Sequence, residues 1–549
     1  MAKVVLVQPP IEDYYLTKKR TIPYGLLSIA AALKDHGFDV CILDGLATDK
    51  SRPLARPAAF AHLDEYYGRP DLSLFCLFHG FRHFGYSLDH IALQVRQQAP
   101  FLVGISSLFT AYHDTAMATA AAIRQRNPGV PIVMGGHHPT LFPGDVAATP
   151  VVDYVIQGEG EEPLPLLCRA LINGTPVSEV PGIACQTPAH RITRPPHWTV
   201  DLSCLPVPDR DRPAYYRRNK KDAVVIVSSR GCPMPCSYCS VSATSGHGPF
   251  RRRKVSHVMK EIRDQADGRD IGFIDFEDEN ISFDRSWFLA LLDEIGGLFR
   301  DRPVELRAMN GLFPPSLDPD MISAMAAAGF KTLNLSVGSF SLDQLKRFRR
   351  PDVRAAHDRA VAAANRLGLS CVSYVIAAAP GQSADDSLAD LLYLAHKPTL
   401  AGVSIFYPAP GSSDYDLCRH LKILPDSFAL MRATAFPLDH TTSRVQAATL
   451  LRLGRILNFM KHCADDGLCL PVPRPAPGNA VLDPAAGRET VSRQLLQWFL
   501  FDGQIRGVDH QGRVYLHKTD RHLGQTFAAE ICRQPPSGVR TQSAAGPRL

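Results

Sequence analysis

The chain has 549 residues, of which 45% are hydrophobic and 21% charged, and its formal net charge is +6. That composition excludes a disordered, collagen-like or coiled-coil chain, and at roughly 100–200 residues per domain the length predicts two to four globular domains. The small positive charge neither demands nor forbids a polyanionic partner. No run of about 18 apolar residues predicts a membrane span. The opening MAKVVLVQPP reads as a strand and lacks the apolar core of a signal peptide, which points to the cytoplasm. Thirteen cysteines, an odd number on a chain read as not exported, predict reduced thiols or metal ligands rather than a disulfide framework.

In chain order, Val4–Gln8 is a β-branched run, and Gly25–Lys34 has helical spacing. Asp39–Leu43 predicts the next strand, followed by a looser aromatic stretch from 47 to 85. Leu102–Leu108, Val130–Gly136 and Asp153–Gly158 predict strands, with an Ala-rich helix over Asp114–Gln125. Apolar strands alternating with helices predict a parallel sheet covered on both faces. Glycines at the carboxyl ends of those strands allow a ligand close to the backbone. This pattern predicts a doubly wound domain over residues 1–173. Residues 174–221 read as a linker rich in Pro and charge. A second βα series follows over 222–415, with strands at Ala223–Ser229, Ile271–Phe276, Val304–Ala308, Thr332–Val337, Cys371–Ala377 and Gly402–Tyr407. Six such units fit a partial parallel barrel. Residues 416–533 turn mostly helical, and 534–549 read as a disordered tail.

The most specific motif is Cys232-Pro-Met-Pro-Cys236-Ser-Tyr-Cys239, directly after the first strand of the second series. Three thiols in one short loop can converge on a single metal centre. Structural zinc sites and iron–sulfur cubanes usually take four protein ligands. No fourth cysteine lies nearby, and His247 and His257 give no recognisable spacing. A cubane held by three thiolates leaves one iron open for substrate. The basic run Arg251–Lys254 lacks interleaved aromatics, so no nucleic-acid partner is expected. It predicts a solvated helix start or a contact with an anionic cofactor group.

The CxxxCxxC spacing with Tyr238 before the last cysteine, opening a βα barrel, resembles the radical S-adenosylmethionine (SAM) superfamily. The resemblance implies that Cys232, Cys236 and Cys239 ligate a [4Fe-4S] cluster whose open iron chelates SAM. It implies SAM contacts at Glu277 and Asp278 after the second strand, at Ser336 and Gly338 on the fourth, and at Pro380 after the fifth. Here Ser336-Val-Gly-Ser replaces the family's more usual Gly-x-Glu-Ser. The N-terminal half resembles the cobalamin-binding domain fused to one class of these enzymes. The matching pieces contain Gly25, Ser106, Ser107, Gly135, Gly136, His137, Gly158, Glu159 and Gly160, with Thr110 placed to bond corrin side groups. The cobalt-ligating Asp-x-His-x-x-Gly signature is absent, which implies cobalamin with its own base displaced and no protein histidine on cobalt.

The expected fold is therefore α/β. A flavodoxin-like (Rossmann-type) cobalamin-binding domain comes first, then a partial (β/α)6 radical SAM barrel, then a mostly helical C-terminal region. The resemblance implies a cobalamin-dependent enzyme that transfers a methyl group to an unactivated carbon of a small molecule through a 5′-deoxyadenosyl radical and methylcobalamin. A reductant such as ferredoxin or flavodoxin would serve it. An oxidative cyclase or rearrangement enzyme with the same cofactors, and a cobalamin-binding regulator without catalysis, are the alternatives.

Overall fold

The computed structural model describes residues 2–14, 22–78, 80–186, 191–208, 216–218, 221–244 and 250–539. His247 and residues 540–549 of the expected tail lie outside them.

The N-terminal sheet has seven strands: β1 (Lys3–Gln8), β2 (Asp39–Asp44), β3 (Leu102–Ser106), β4 (Ile132–Gly135), β5 (Tyr154–Ile156), β6 (Ile183–Gln186) and β7 (Arg191–Thr193), in the order β7-β6-β5-β4-β3-β1-β2. Strands β1 to β5 are parallel, while β6 and β7 add an antiparallel edge. Helix α1 (Tyr24–Asp35) covers one face, where Leu26, Ala30 and Leu33 pack on Val4 and Leu6. Helix α2 (His113–Arg126) covers the other through Ala116, Ala120 and Ile123. The strands carry apolar residues on both faces because helices bury both.

The second series forms β8 (Lys221–Ile226), β9 (Ile271–Phe276) and β10 (Glu305–Arg307), then β11 (Thr332–Gly338), β12 (Ser370–Ala377) and β13 (Leu400–Ile405). Each set of three is parallel, and parallel bridges Leu306↔Phe330 and Leu312↔Leu335 join the two sets into a six-stranded partial barrel. Ile274, Phe276, Leu333, Leu335 and Val375 face the outer helices. The barrel's inner face at Ala223, Val225 and Phe273 packs against Ile22, Tyr24 and Leu27 of the first domain. That domain thus closes the open side of the barrel.

The C-terminal region carries three long helices, α3 (Arg444–Asp465), α4 (Arg488–Asp502) and α5 (Arg521–Arg533). A capping box of Ser443 and Gln446 starts α3, and its apolar stripe joins the barrel core.

Two features differ from the sequence reading. The aromatic stretch after β2 leaves the first domain: Phe60, Leu63, Tyr66, Tyr67, Phe75 and Leu77 bury in the second core, against Phe436 and Phe459. Its lack of strand–helix alternation marked it as loose, whereas its aromatic density serves a remote core. Residues 534–539 are also ordered. Buried Lys461 donates to the carbonyl of Ser537 at 3.1 Å, and Asp465 accepts from the amide of Val539 at 2.7 Å.

The C-terminal segment also reaches the carboxyl end of β1. Arg432 and Asp13, both buried, pair at 3.2 Å. Arg432 further donates to the carbonyls of Glu12 (2.7 Å) and Ala111 (2.5 Å), and Asp13 accepts from Tyr112 and Thr434. Removing one partner leaves a buried charge alone. Arg432→Ala is expected to lower stability by about 3–5 kcal/mol in urea denaturation, and Asp13→Asn with Arg432→Met to lose less.

Candidate functional site

The carboxyl ends of both sets of strands meet. The helical turn His137–Leu141 follows β4, and the turn Val241–Thr244 follows Cys239; the two pack together. A Cβ on Gly411, in the turn after β13, would lie 3.0 Å from Leu141.

The cysteine loop leaves the barrel after β8. Cys232, Cys236 and Cys239 are free and half-buried. The loop is held by the amide of Cys239 on the carbonyl of Cys236 (3.2 Å) and the amide of Ser237 on the carbonyl of Phe348 (3.1 Å). Ser237 also donates to Asp414 at 3.0 Å. Burial pushes the Cys239 thiol up to about 11 and raises Cys232 as well. Burial thus disfavours the thiolate form, which a bound metal would have to stabilise.

Two groups absent from the sequence-based set stand beside the loop. Arg350 donates to Cys236 Sγ (3.7 Å), to the Tyr238 hydroxyl (2.9 Å) and to the carbonyl of Ser336 (2.7 Å). Its Nε is buried without a partner, and among the described residues no carboxylate lies within ion-pair distance of it. The preceding Arg349 has a left-handed φ of 53° where the helix Leu342–Arg347 ends, and the amide of Arg350 bonds back to Leu345. Asn280 donates to Cys232 Sγ at 3.8 Å, and its Oδ1 and Glu279 Oε2 are buried without partners. Burial pushes the Glu279 carboxyl up to about 7. Orphaned polar atoms of both signs beside three thiols fit a ligand that is both cationic and anionic, such as an amino acid moiety. The only sequence signal was position: Glu279 and Asn280 share the acidic turn after β9, and Arg350 sits in an unremarked Arg-Arg-Pro.

The predicted SAM contacts divide. Tyr238 lies in the site, edge-on to Phe348. Asp278 does not: it is buried and accepts from Ser228 Oγ (2.7 Å) and Ser229 Oγ (2.5 Å), tying β9 to β8. Glu277 joins the barrel through its backbone, its amide on Ile226 and its carbonyl on Asn310. Ser336 contributes its carbonyl to Arg350, and Gly338 packs beside the Arg350 side chain. Pro380 is buried in its turn, which Gln382 braces by bonding Ala379 and Ile376.

In the first domain, Ser106, Ser107, Gly135 and Gly136 line the ends of β3 and β4. Gly136 has φ +114°, and a Cβ there would lie 2.7 Å from the carbonyl of Ser107. The Ser107 amide bonds the Gly135 carbonyl. The Ser107 hydroxyl meets His113 at 3.2 Å, and Thr110 meets His138 at 3.2 Å, so both hydroxyls already have partners within the domain. His138 stacks on His113 at 3.7 Å and is held neutral by burial, which drives it down to about 3. His137 is half-buried at the start of the turn. Leu108 and Phe109 stand exposed beside Ser107, an apolar rim at the strand ends. Gly25 is exposed on the first turn of α1, and a Cβ there would meet nothing within 4 Å.

In the Gly158-Glu159-Gly160-Glu161 motif, expected to hold cofactor, the two carboxylates are taken by arginines of the barrel segment. Gly158 has φ +82°, and a Cβ there would strike the backbone of His197 at 2.2 Å. Gly160 packs on Ile29. Glu159 accepts from Arg251 with both oxygens (3.0 and 2.8 Å) and pairs with Arg230 at 3.3 Å. Glu161 pairs with Arg230 at 2.5 Å and accepts from Ser28 at 2.8 Å. Arg230 stands two residues before Cys232. Two more arginines of the basic run are paired within the chain, Arg252 with Asp284 and Arg253 with Glu261 at 2.5 Å, while Lys254 is exposed.

A parallel sheet facing a partial barrel, with three thiols where the strand ends meet, defines a two-domain α/β protein built around a three-cysteine centre. Residues 81–168 match the family described as B12 binding domain, and residues 226–392 match the radical SAM superfamily. The two matches put a B12-binding segment before a radical SAM segment in the chain. It is 27% identical to an uncharacterized methyltransferase (PH0819) of Pyrococcus horikoshii, over 47% of this chain and 50% of that protein. It is 30% identical to an anaerobic magnesium-protoporphyrin IX monomethyl ester cyclase of Synechocystis, over 43% of this chain and 42% of that one. The chain thus spans about half the length or less of these relatives. The solved structure of the radical SAM methyltransferase TsrM from Kitasatospora setae, with cobalamin and [4Fe-4S] cluster bound, shares the fold. Its TM-score is 0.56 at 19% identity, covering 77% of this chain and 76% of that one. No helix among the described residues is long and apolar enough to cross a membrane.

Burial pushes the Glu161 carboxyl up, but the Arg230 charge and the Ser28 hydroxyl outweigh it and leave the carboxyl below its usual value. Its contribution is therefore present above the ordinary carboxylate range and lost as pH falls through the folded value. Glu161→Gln is expected to lower the melting temperature at pH 7, and the gap from wild type to narrow as pH falls below the ordinary carboxylate range.

Proposed function

We propose that the protein is a cobalamin-dependent radical SAM methyltransferase acting on an unactivated carbon of a small molecule. The observation that carries this reading is the juxtaposition of the three-thiol loop with the strand ends of the B12-binding domain. Methyltransferase relatives support methyl transfer, and the fold shared with TsrM supports the cofactor set.

In this reading Cys232, Cys236 and Cys239 hold a [4Fe-4S] cluster. Arg350 takes the SAM carboxylate on its unpartnered Nε, and Glu279 with Asn280 takes the ammonium. Charge-assisted bonds of this kind orient a substrate strongly. Ser106, Gly135 and Gly136 leave backbone room for the cobalamin tail, and Leu108 with Phe109 offers an apolar face to the corrin. The cofactors supply one-electron cleavage of SAM and a transferable methyl group. The protein's part is to hold both ligands at one cleft and keep water from it, with the first domain sealing the barrel's open side. A cytoplasmic setting and a ferredoxin- or flavodoxin-type reductant complete the proposal.

The match to a cyclase favours a second reading, oxidative ring formation with the same cofactors. Protein reconstituted anaerobically with iron, sulfide and cobalamin and given methyl-labelled SAM, a reductant and extract of the source cells separates the two. Label in a small-molecule product is expected, and 5′-deoxyadenosine formation with no labelled product overturns methyl transfer. Cys236→Ala is expected to abolish 5′-deoxyadenosine. Arg350→Met should weaken SAM binding about tenfold in equilibrium dialysis while iron content holds.

A further inference from the structure

The inner face of the barrel carries charge that the cofactor reading does not use. Along β9 the outward side chains Ile274 and Phe276 are buried in the core, so Phe273 and Asp275 point inward. On β10 the buried Leu306 faces outward, leaving Glu305 and Arg307 inward. Asp275 is opposite Arg307 in the parallel register. Arg307 is committed elsewhere: it donates to both oxygens of Glu305 (2.6 and 2.9 Å) and stacks on Phe273 at 4.0 Å. Those two charges cancel. Asp275 is left half-buried with one long hydrogen bond, from the amide of Met309 at 3.3 Å. Burial raises its pKa, and the Met309 amide and the Arg307 charge, itself offset by Glu305, only partly counter it.

An unbalanced carboxylate on this wall attracts a cation and repels an anion. The surroundings supply the rest of a site: Met309 is 54% exposed and Tyr374 is half-buried on the inner face of β12. Met309, whose amide bonds Asp275, offers apolar contact next to the charge, and Tyr374 adds an aromatic face further round the same wall.

We propose that Asp275 anchors the substrate and that the methyl acceptor carries a protonated amine on an apolar, ring-bearing skeleton. The inference rests on the methyltransferase reading, and it specifies the chemistry of the acceptor.

The test is equilibrium binding, which requires no turnover. Three probes share one skeleton: 2-phenylethylamine, 2-phenylethanol and phenylacetate. Saturation-transfer NMR against the full-length protein, reconstituted with iron and sulfide, is expected to show the amine bound about tenfold better than the alcohol, and the acid not at all. Asp275→Asn should erase the preference and Asp275→Glu keep it, with melting temperature and iron content unchanged. Equal binding of all three probes, no binding of the amine, or a preference that survives Asp275→Asn overturns the proposal. Because SAM cleavage and methyl labelling are scored separately, failure here is distinct from failure of the methyltransferase reading.

Discussion

The structure depends on one guanidinium. Arg230 emerges from the first barrel strand two residues before Cys232, and two carboxylates from the other domain, Glu159 and Glu161, close on it. Arg251 doubles the grip on Glu159. A charge pair this well buried is costly to assemble, and each partner is stabilised only while the others are in place. The consequence is geometric. The segment that leads into the three-cysteine loop is fixed by the first domain, so loop and strand ends cannot drift apart without exposing buried charge.

Much of the fold was legible because it rests on repetition. Strands such as Val4–Gln8 and Ile271–Phe276 are short apolar runs separated by amphipathic helices, and only a doubly covered parallel sheet or barrel buries them. The exceptions are places where local pattern and distant packing part company. Phe60 to Leu77 show no period because they complete a core assembled mostly from later sequence. Residues 534–539 are polar and Pro-containing, yet Lys461 and Asp465 recruit their backbone groups.

The candidate site was legible where chemistry demands a fixed spacing, as with the three cysteines. It was misread where a carboxylate has more than one use. Asp278 and Glu159 stand at strand ends, where a ligand is expected, but each is consumed by the protein's own hydroxyls or arginines. Nothing in a linear sequence says whether a strand-end acid faces solvent, ligand or another domain. Conversely Arg350 lies 111 residues beyond Cys239 and joins the loop only through the turn after β11.

The aromatic excursion has a consequence for how the molecule comes into being. The larger core includes Tyr14 near one end of the chain and Ile531 near the other. Contacts of such sequence separation form slowly, since a long loop must close before they contribute. On the ribosome, the strands of the first sheet can pair while Phe60, Tyr67 and Phe75 wait for partners several hundred residues downstream. For that interval an aromatic segment lacks the partners that bury it, until α3 and the segment around Phe436 emerge.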